Sequence, residues 1–223
     1  MSTSYWRGAA EDEAMQDEHG FIWKAMLDTI DADLAGKRVL DAGCNRGGFL
    51  RLLVDAAGIA EGYGYDPASG AITDARRLAG DRPLSFEVAT TVPKCWGGFD
   101  LAFSHEVLYL LEDLVAHASS LFDALRPGGA YFAVMGVHGG SPLMTSWHAA
   151  NAAELGLPRL YELDEVARVF EGAGFSVSVA NLKLGFVPVS AHRHGHDDRG
   201  DLLAWLDYYS REKVLFRFIR PSL

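Results

Sequence analysis

The chain is predicted to fold as one α/β domain: a seven-stranded, mostly parallel sheet with helices on both faces. Three features of its 223 residues predict this. From Lys37 onward, short apolar strand-like runs alternate with amphipathic helix-length runs, the rhythm that builds parallel sheets. The first of these strands ends in a glycine-rich turn and passes straight into an apolar helix. Hydrophobic residues make up 49% of the chain, enough to bury a sizeable core.

The elements follow in order. Residues 5–20 mix aromatics with acids, and Phe21, Ile22, Met26, Leu27 and Ile30 then recur at helical spacing, so a helix is expected over 21–34, ended by Gly36. Val39 and Leu40 lie in the first strand. Gly62–Asp66 reads as the second strand, and Pro67 opens a helix over 68–79 with Ala71, Ile72, Ala75 and Leu78 on one face. Leu84–Val88 and Phe99–Ser104 are strands three and four. A helix over 110–125 is stopped by Arg126-Pro-Gly-Gly129, and Ala130–Val137 is strand five. Residues 138–160 form a connection punctuated by glycine and proline, 163–172 a helix closed by Gly172 and Gly174, and Phe175–Ala180 strand six. A helix over 200–210 precedes strand seven, Lys213–Ile219, whose mixed faces suit a sheet margin. Residues 1–36 thus form an N-terminal cap, and 37–223 the main domain with an insert at about 183–211.

The most informative stretch is Lys37-Arg-Val-Leu-Asp-Ala-Gly-Cys-Asn-Arg-Gly-Gly-Phe49. It is a buried strand ending in Asp41, a turn holding Gly43, Cys44, Asn45 and Gly47, and then a helix. Glycines allow positive φ and close approach to a ligand, and the helix start aims free N–H groups at it. Gly43-x-Asn45-x-x-Gly48 is a degenerate form of the dinucleotide pattern. The acid before the first glycine disfavours a pyrophosphate and suits an ammonium. Asp66 ends strand two, 25 positions after Asp41, where an acid can accept both ribose hydroxyls or cap the helix behind Pro67.

Asp41-x-Gly43-x-Asn45-x-Gly47 resembles motif I of the class I S-adenosylmethionine (SAM) methyltransferases, with Asn45 where that family usually has glycine. Phe99–Asp113, Pro127-Gly-Gly and Glu171-Gly-Ala-Gly-Phe175 resemble, in order, later motifs of the small-molecule members. The resemblance implies a Rossmann-like fold with strand seven antiparallel between strands five and six. It implies SAM as cofactor, held by Asp41, Gly43, Cys44, Asn45, Gly47, Asp66, Pro67, Ser104 and His105. The acid that often holds the adenine is replaced by Val88-Ala-Thr-Thr-Val92, so Thr90 or a backbone carbonyl serves there. Tyr109 and Leu110 replace a Glu-His pair.

Methyl transfer needs alignment, and a base only when the acceptor carries a proton. His105 and His138, at the carboxyl ends of strands four and five, are the candidate catalytic residues, with Glu106 a third candidate base. Tyr5 and Trp6 are candidates for a lid, Trp147 and His148 lie in the connection over the site, and Trp205, Tyr208 and Tyr209 either line a pocket or dock the insert. His192, His194 and His196 alternate beside Asp197 and Asp198, but no second cluster accompanies them and no metal is expected.

A net charge of −10 and the absence of a Lys/Arg cluster argue against nucleic acid as partner and favour a small-molecule substrate. No apolar run of about 18 residues and no signal segment stand in the chain, so no membrane association is expected. Two cysteines suit a reducing cytoplasm. The sequence sets no oligomeric state. Two alternatives remain: an NAD(P)-binding oxidoreductase, although of the eight tyrosines only Tyr209, outside the glycine-loop half of the chain, has a lysine four residues on, and a non-catalytic SAM-binding regulator.

Overall fold

The computed structural model describes residues 9–30, 32–187, 189 and 201–222, with backbone alone for 9–18. Seven strands form one sheet: β1 Arg38–Ala42, β2 Glu61–Asp66, β3 Leu84–Val88, β4 Phe99–His105, β5 Leu125–Met135, β6 Ser176–Asn181 and β7 Val214–Ile219. Their order is β3-β2-β1-β4-β5-β7-β6. The strands from β3 to β5 pair in parallel, whereas β7 runs antiparallel to both β5 and β6. Packed around the sheet are α1 Ala9–Thr29, α2 Gly48–Leu52, α3 Ser69–Ala79, α4 Leu114–Ala124, α5 Pro142–Leu155, α6 Leu163–Gly172 and α7 Leu202–Asp207. α2 and α7 each run on as one π turn, Leu53–Ala57 and Tyr208–Glu212.

The expected architecture is therefore present, antiparallel margin included. Several boundaries differ for local reasons. The helix expected over 21–34 already runs from Ala9, because the Ala- and Glu-rich stretch before Phe21 consists of good helix formers. It stops at Thr29, whose hydroxyl bonds back to the Ala25 carbonyl at 2.7 Å and accepts the Lys183 N–H at 2.8 Å. Gly36 turns the chain into β1 instead of ending the helix. Ile22, Ala25 and Met26 join the same core as the sheet.

β5 starts at Leu125, before the Arg-Pro-Gly-Gly segment expected to precede it. The segment forms an irregularity in β5: Gly128 has φ 78°, and a Cβ on Gly129 would meet the Phe99 and Asp100 carbonyls at 3.1 Å. The 138–160 connection contains α5. The glycine and proline signals there are caps: Ser141 accepts the Met144 N–H at 3.2 Å, Pro142 opens the helix and Gly156 closes it at φ 64°. The helix expected from residue 110 begins at Leu114, after a 3-10 turn, capped by Asp113.

Phe99, Ala102, Phe103 and Ser104 of β4 are fully buried, as a central parallel strand requires. At the other margin, α6 docks through Phe170, whose ring stacks on Phe218 of β7 at 3.8 Å between centroids. Tyr131 lies 5.3 Å from Phe218 on the same cluster. Phe218→Ala is expected to cost about 3–5 kcal/mol, since the ring is fully buried in a stack that cannot collapse around one missing member. A urea titration reads this as a lower midpoint at unchanged slope.

Candidate active site

At the carboxyl ends of β1, β2 and β4 the glycine loop is clamped by backbone bonds. The Gly43 and Cys44 N–H groups donate to the Tyr65 carbonyl at 2.9 and 3.1 Å. Gly43, Asn45 and Gly47 all take left-handed φ, at 78°, 46° and 71°. Asn45 is thus the tolerated non-glycine of the loop. Asp66 ties the loop to the next crossover: its Oδ2 accepts the Asn45 N–H at 3.0 Å and its Oδ1 the Ala68 N–H at 2.9 Å.

The glycines answer to neighbouring side chains as well as to the turn. A Cβ on Gly43 would meet Val107 at 2.5 Å, one on Gly47 would meet Phe86 at 2.5 Å, and one on Gly64 would meet Cys44 Sγ at 2.7 Å. Close packing of the loop onto β3 and onto the turn after β4 therefore demands glycine at these places.

The loop borders a cleft of about 1170 Å³. That exceeds the range of about 300–1,000 Å³ usual for a single small ligand. Two sets of residues line it. The polar set comprises Asp41, Cys44, Asn45, Asp66, Pro67 and Thr90. The second set is largely apolar and aromatic, with Trp23 of α1, Tyr109, Met144 and Trp147 of α5, Leu157 and Tyr209. His105 lies in the wall with Glu106, His19 and Lys213. The His19 and His105 rings meet edge to face at 4.4 Å.

Burial controls the charges. Asp41 is 5% exposed, and its carboxyl is pushed up to about 8, first by burial and then by the Asp66 charge. Among the described residues no cation acts on it to offset either effect. The same burial and the same two acids push the Cys44 thiol up. The His105 imidazole is held well below its ordinary range by burial, then by His19 and Lys213, so it is neutral at pH 7. Its Nε2 is shielded from solvent and has no hydrogen-bond partner among the described residues.

Three expected site residues stand outside the cleft. Ser104 is fully buried beneath the sheet surface, bonded to the Tyr131 hydroxyl at 2.6 Å. The inward pleat of β4 sends it to the core while its neighbour His105 reaches the cleft. Gly47 faces Phe86 and Ala75. His138 is buried at the end of β5 with Nε2 donating to the Glu212 carbonyl at 2.7 Å, so it secures the turn before β7. Glu106 adopts φ 57° and pairs with Lys213, its other oxygen accepting the Gly136 N–H at 3.1 Å.

Tyr208 and Tyr209 do both jobs considered for them. They are buried against Trp205, with centroids 5.7 and 4.9 Å away, and they line the cleft. His148 bonds the Pro158 carbonyl at 2.7 Å. His19, Trp23, Met144 and Lys213 were not legible as site residues, since no local pattern marks them. Tyr5, Trp6, His192, His194 and His196 lie outside the described residues. Among the described residues no group of three or more His, Cys, Asp or Glu could hold a metal, and no helix is long and apolar enough to cross a membrane.

A strand-glycine loop-helix cradle, an acid on each of β1 and β2, and an antiparallel seventh strand together define a SAM-binding methyltransferase fold. A family model described as a methyltransferase domain matches residues 12–178, and the chain belongs to this family, whose methyl donor is SAM. A tRNA U34 carboxymethyltransferase of Azotobacter vinelandii is 33% identical over 115 residues, 48% of this chain and 35% of that protein. The chain thus spans about a third of the length of that relative. A Mycolicibacterium smegmatis protein named as a SAM-dependent methyltransferase is 26% identical over 179 residues, 76% of this chain and 67% of the relative.

Two solved structures show the fold. One is a methyltransferase in complex with the Haloferax volcanii Trm112 methyltransferase activator, with TM-score 0.83 at 22% identity and 100% of both chains covered. The other is a Haemonchus contortus phosphoethanolamine N-methyltransferase holding S-adenosylhomocysteine, with TM-score 0.71 at 17% identity, covering 99% of this chain and 61% of that one.

These findings correct the expectation about partners. An acidic net charge argues against nucleic acid and favours a small-molecule substrate, yet relatives include tRNA-modifying enzymes and a similar fold is solved with a protein activator. Net charge sums over a whole surface, whereas recognition depends on local patches, so the exclusion does not stand.

Asp41 sets a pH dependence. Its folded carboxyl is raised from 3.8 to about 8, so the folded state binds more protons between those values and loses stability as pH rises. His105 and His117, both lowered from 6.5, act in the opposite direction below that pH. From pH 6.5 to 8 the wild type is therefore expected to lose about 1–2 kcal/mol relative to Asp41→Asn. Parallel denaturant titrations of the two proteins at several pH values measure the difference, and parallel curves would refute the assignment.

Proposed function

We propose that the chain transfers the methyl group of SAM to the oxygen, nitrogen or carbon of a small acceptor with an apolar body. The observation that carries the reading is the two-sided lining of the cleft. A buried acid without a cation stands on one set of residues, and an aromatic wall on the other. The volume exceeds one ligand, which suits a donor and an acceptor side by side.

The residues fit SAM. Asp41 lacks a positive partner, and the ammonium of the methionine moiety would supply one. Asp66, at the end of β2, is the acid placed to accept ribose hydroxyls, and its carboxylate also takes the Asn45 and Ala68 N–H groups. Pro67 and Thr90 stand on the rim of the same polar set, and Gly43, Cys44 and Asn45 form its floor. SAM supplies an electrophilic methyl on a sulfonium. The chain's own residues align the acceptor against it and keep water out, the main service such a displacement needs.

His105 is the group suited to take a proton from the acceptor. It is neutral at pH 7, and its Nε2 is turned away from solvent without a partner. Both cysteines are free thiols, in keeping with a reducing cytoplasm as the place of action.

Two measurements test the reading. Calorimetry should show saturable SAM binding that releases protons near pH 7, because Asp41 ionises on meeting the ammonium, and Asp41→Asn should remove that release. A screen for S-adenosylhomocysteine production over metabolites and over total tRNA should find turnover on a small acceptor. Turnover on tRNA alone would replace the small-acceptor reading. Once an acceptor is known, His105→Ala should lose about 10²- to 10⁴-fold in turnover with SAM affinity kept. His138→Ala should keep its turnover, because His138 lies outside the cleft. Equal losses in both variants would refute the role of His105.

A further inference from the structure

Lys213 is a buried cation in the wall of the cleft that neither the cofactor contacts nor the role of His105 uses. It is 4% exposed. It stands directly after the π turn, where its backbone N–H donates to the Tyr208 carbonyl at 2.9 Å. The wide turn brings the rings of Tyr208 and Tyr209 to 5.1 and 5.6 Å from Nζ. On its other side Nζ pairs with Glu106.

Burying an ammonium is costly, and an apolar side chain would dock the turn at least as well. The charge therefore calls for a use. Of its three N–H donors, the Glu106 contact takes one, and the two rings offer faces instead of conventional acceptors. Among the described residues that line the cleft, Asp41, Asp66, Glu106, Glu112, Asp113 and Glu154 are acidic, and only Arg46 and Lys213 are basic. Both are ion-paired, Arg46 with Asp74 at 3.2 Å and Lys213 with Glu106, but of the two only Lys213 stands beside His105. Lys213 is thus the cation an entering molecule meets. It stands close enough to His105 for its charge to lower that ring's proton affinity.

The geometry points to Lys213 as the anchor for an oxyanion on the methyl acceptor, a carboxylate or phosphate group bound beside His105. This rests on the reading of the cleft as the methyl-transfer site. The Gly136 N–H donates to Oε2 of Glu106 and holds that carboxylate in place, so the Lys213 donors left by the Glu106 contact keep a fixed direction. The strained backbone of Glu106 is explained at the same time. At φ 57° the residue turns its carboxylate to Lys213, which fixes the direction of the remaining ammonium donors. An acceptor with an apolar body and one anionic group would match both the aromatic wall and the buried cation.

The test uses the full chain saturated with S-adenosylhomocysteine and titrated with benzoate, phenyl phosphate, benzamide and benzylamine. At least one of the two anions is expected to bind about 10- to 100-fold tighter than benzamide or benzylamine, the ratio that one charge-assisted hydrogen bond supplies. Which anion wins distinguishes a carboxylate from a phosphate acceptor. Lys213→Arg should keep the preference and Lys213→Met should abolish it.

Because Lys213→Met strands a buried Glu106, the double variant Glu106→Gln/Lys213→Met, which removes both charges, carries the same expectation in a chain that keeps no unpaired ion. Benzamide binding as well as both anions, no saturable binding of either anion, or a preference that survives in the double variant each overturns the proposal while leaving SAM binding intact. Failure of the wild type to bind S-adenosylhomocysteine overturns this proposal and the methyl-transfer reading together.

Discussion

The carboxylate of Asp66 holds the site together. One oxygen takes the N–H of Asn45 in the glycine loop and the other takes the N–H of Ala68 ahead of α3. Two segments that leave neighbouring parallel strands are thereby joined at the point where the sheet opens toward the cleft. Backbone N–H groups at such a place have no strand partner, and a buried donor without an acceptor costs more than a hydrogen bond returns. The acid is thus required by the loop before any ligand arrives.

That arrangement imposes an electrostatic cost on its neighbour. Asp41 and Asp66 lie at adjacent strand ends, since β1 and β2 pair in register through Asp41 and Gly64. With no basic side chain between them, Asp41 retains its proton up to about pH 8. Desolvation carries most of this effect and Asp66 a smaller share, which is why Cys44, buried in the same place, moves the same way.

Local patterns made much of this legible in the sequence. β3 and α6 fall at the bounds read from periodicity and capping, Leu84–Val88 and Leu163–Gly172. The glycine loop was legible because its φ demands are local and show as residue type. α5 was missed although Ser141-Pro142 is a proper helix start, because flanking glycines made the whole span read as loop. The burial of Ser104 was not legible because a one-residue step along a strand decides between core and cleft. Its hydroxyl completes a buried chain with Tyr131 and His117 instead, the latter 3.3 Å from the tyrosine oxygen. His19, Trp23 and Lys213 come to the site from segments far apart in sequence, and no spacing rule connects them.

The same distinction bears on what the fold can say about its acceptor. The polar side of the cleft is built from consecutive residues of the β1 and β2 crossovers. The opposite wall is assembled from α1, α5 and the π turn before β7, segments far apart in sequence. A π turn carries one extra residue per hydrogen-bonded ring, and here that residue swings Tyr208 and Tyr209 inward together instead of setting them on different faces. Removing one residue from Tyr208–Glu212 would restore α-helical spacing and rotate Lys213 away from Glu106. Change in this wall costs the sheet least, because these elements meet the core through their own apolar residues, Met26, Met144 and Trp205.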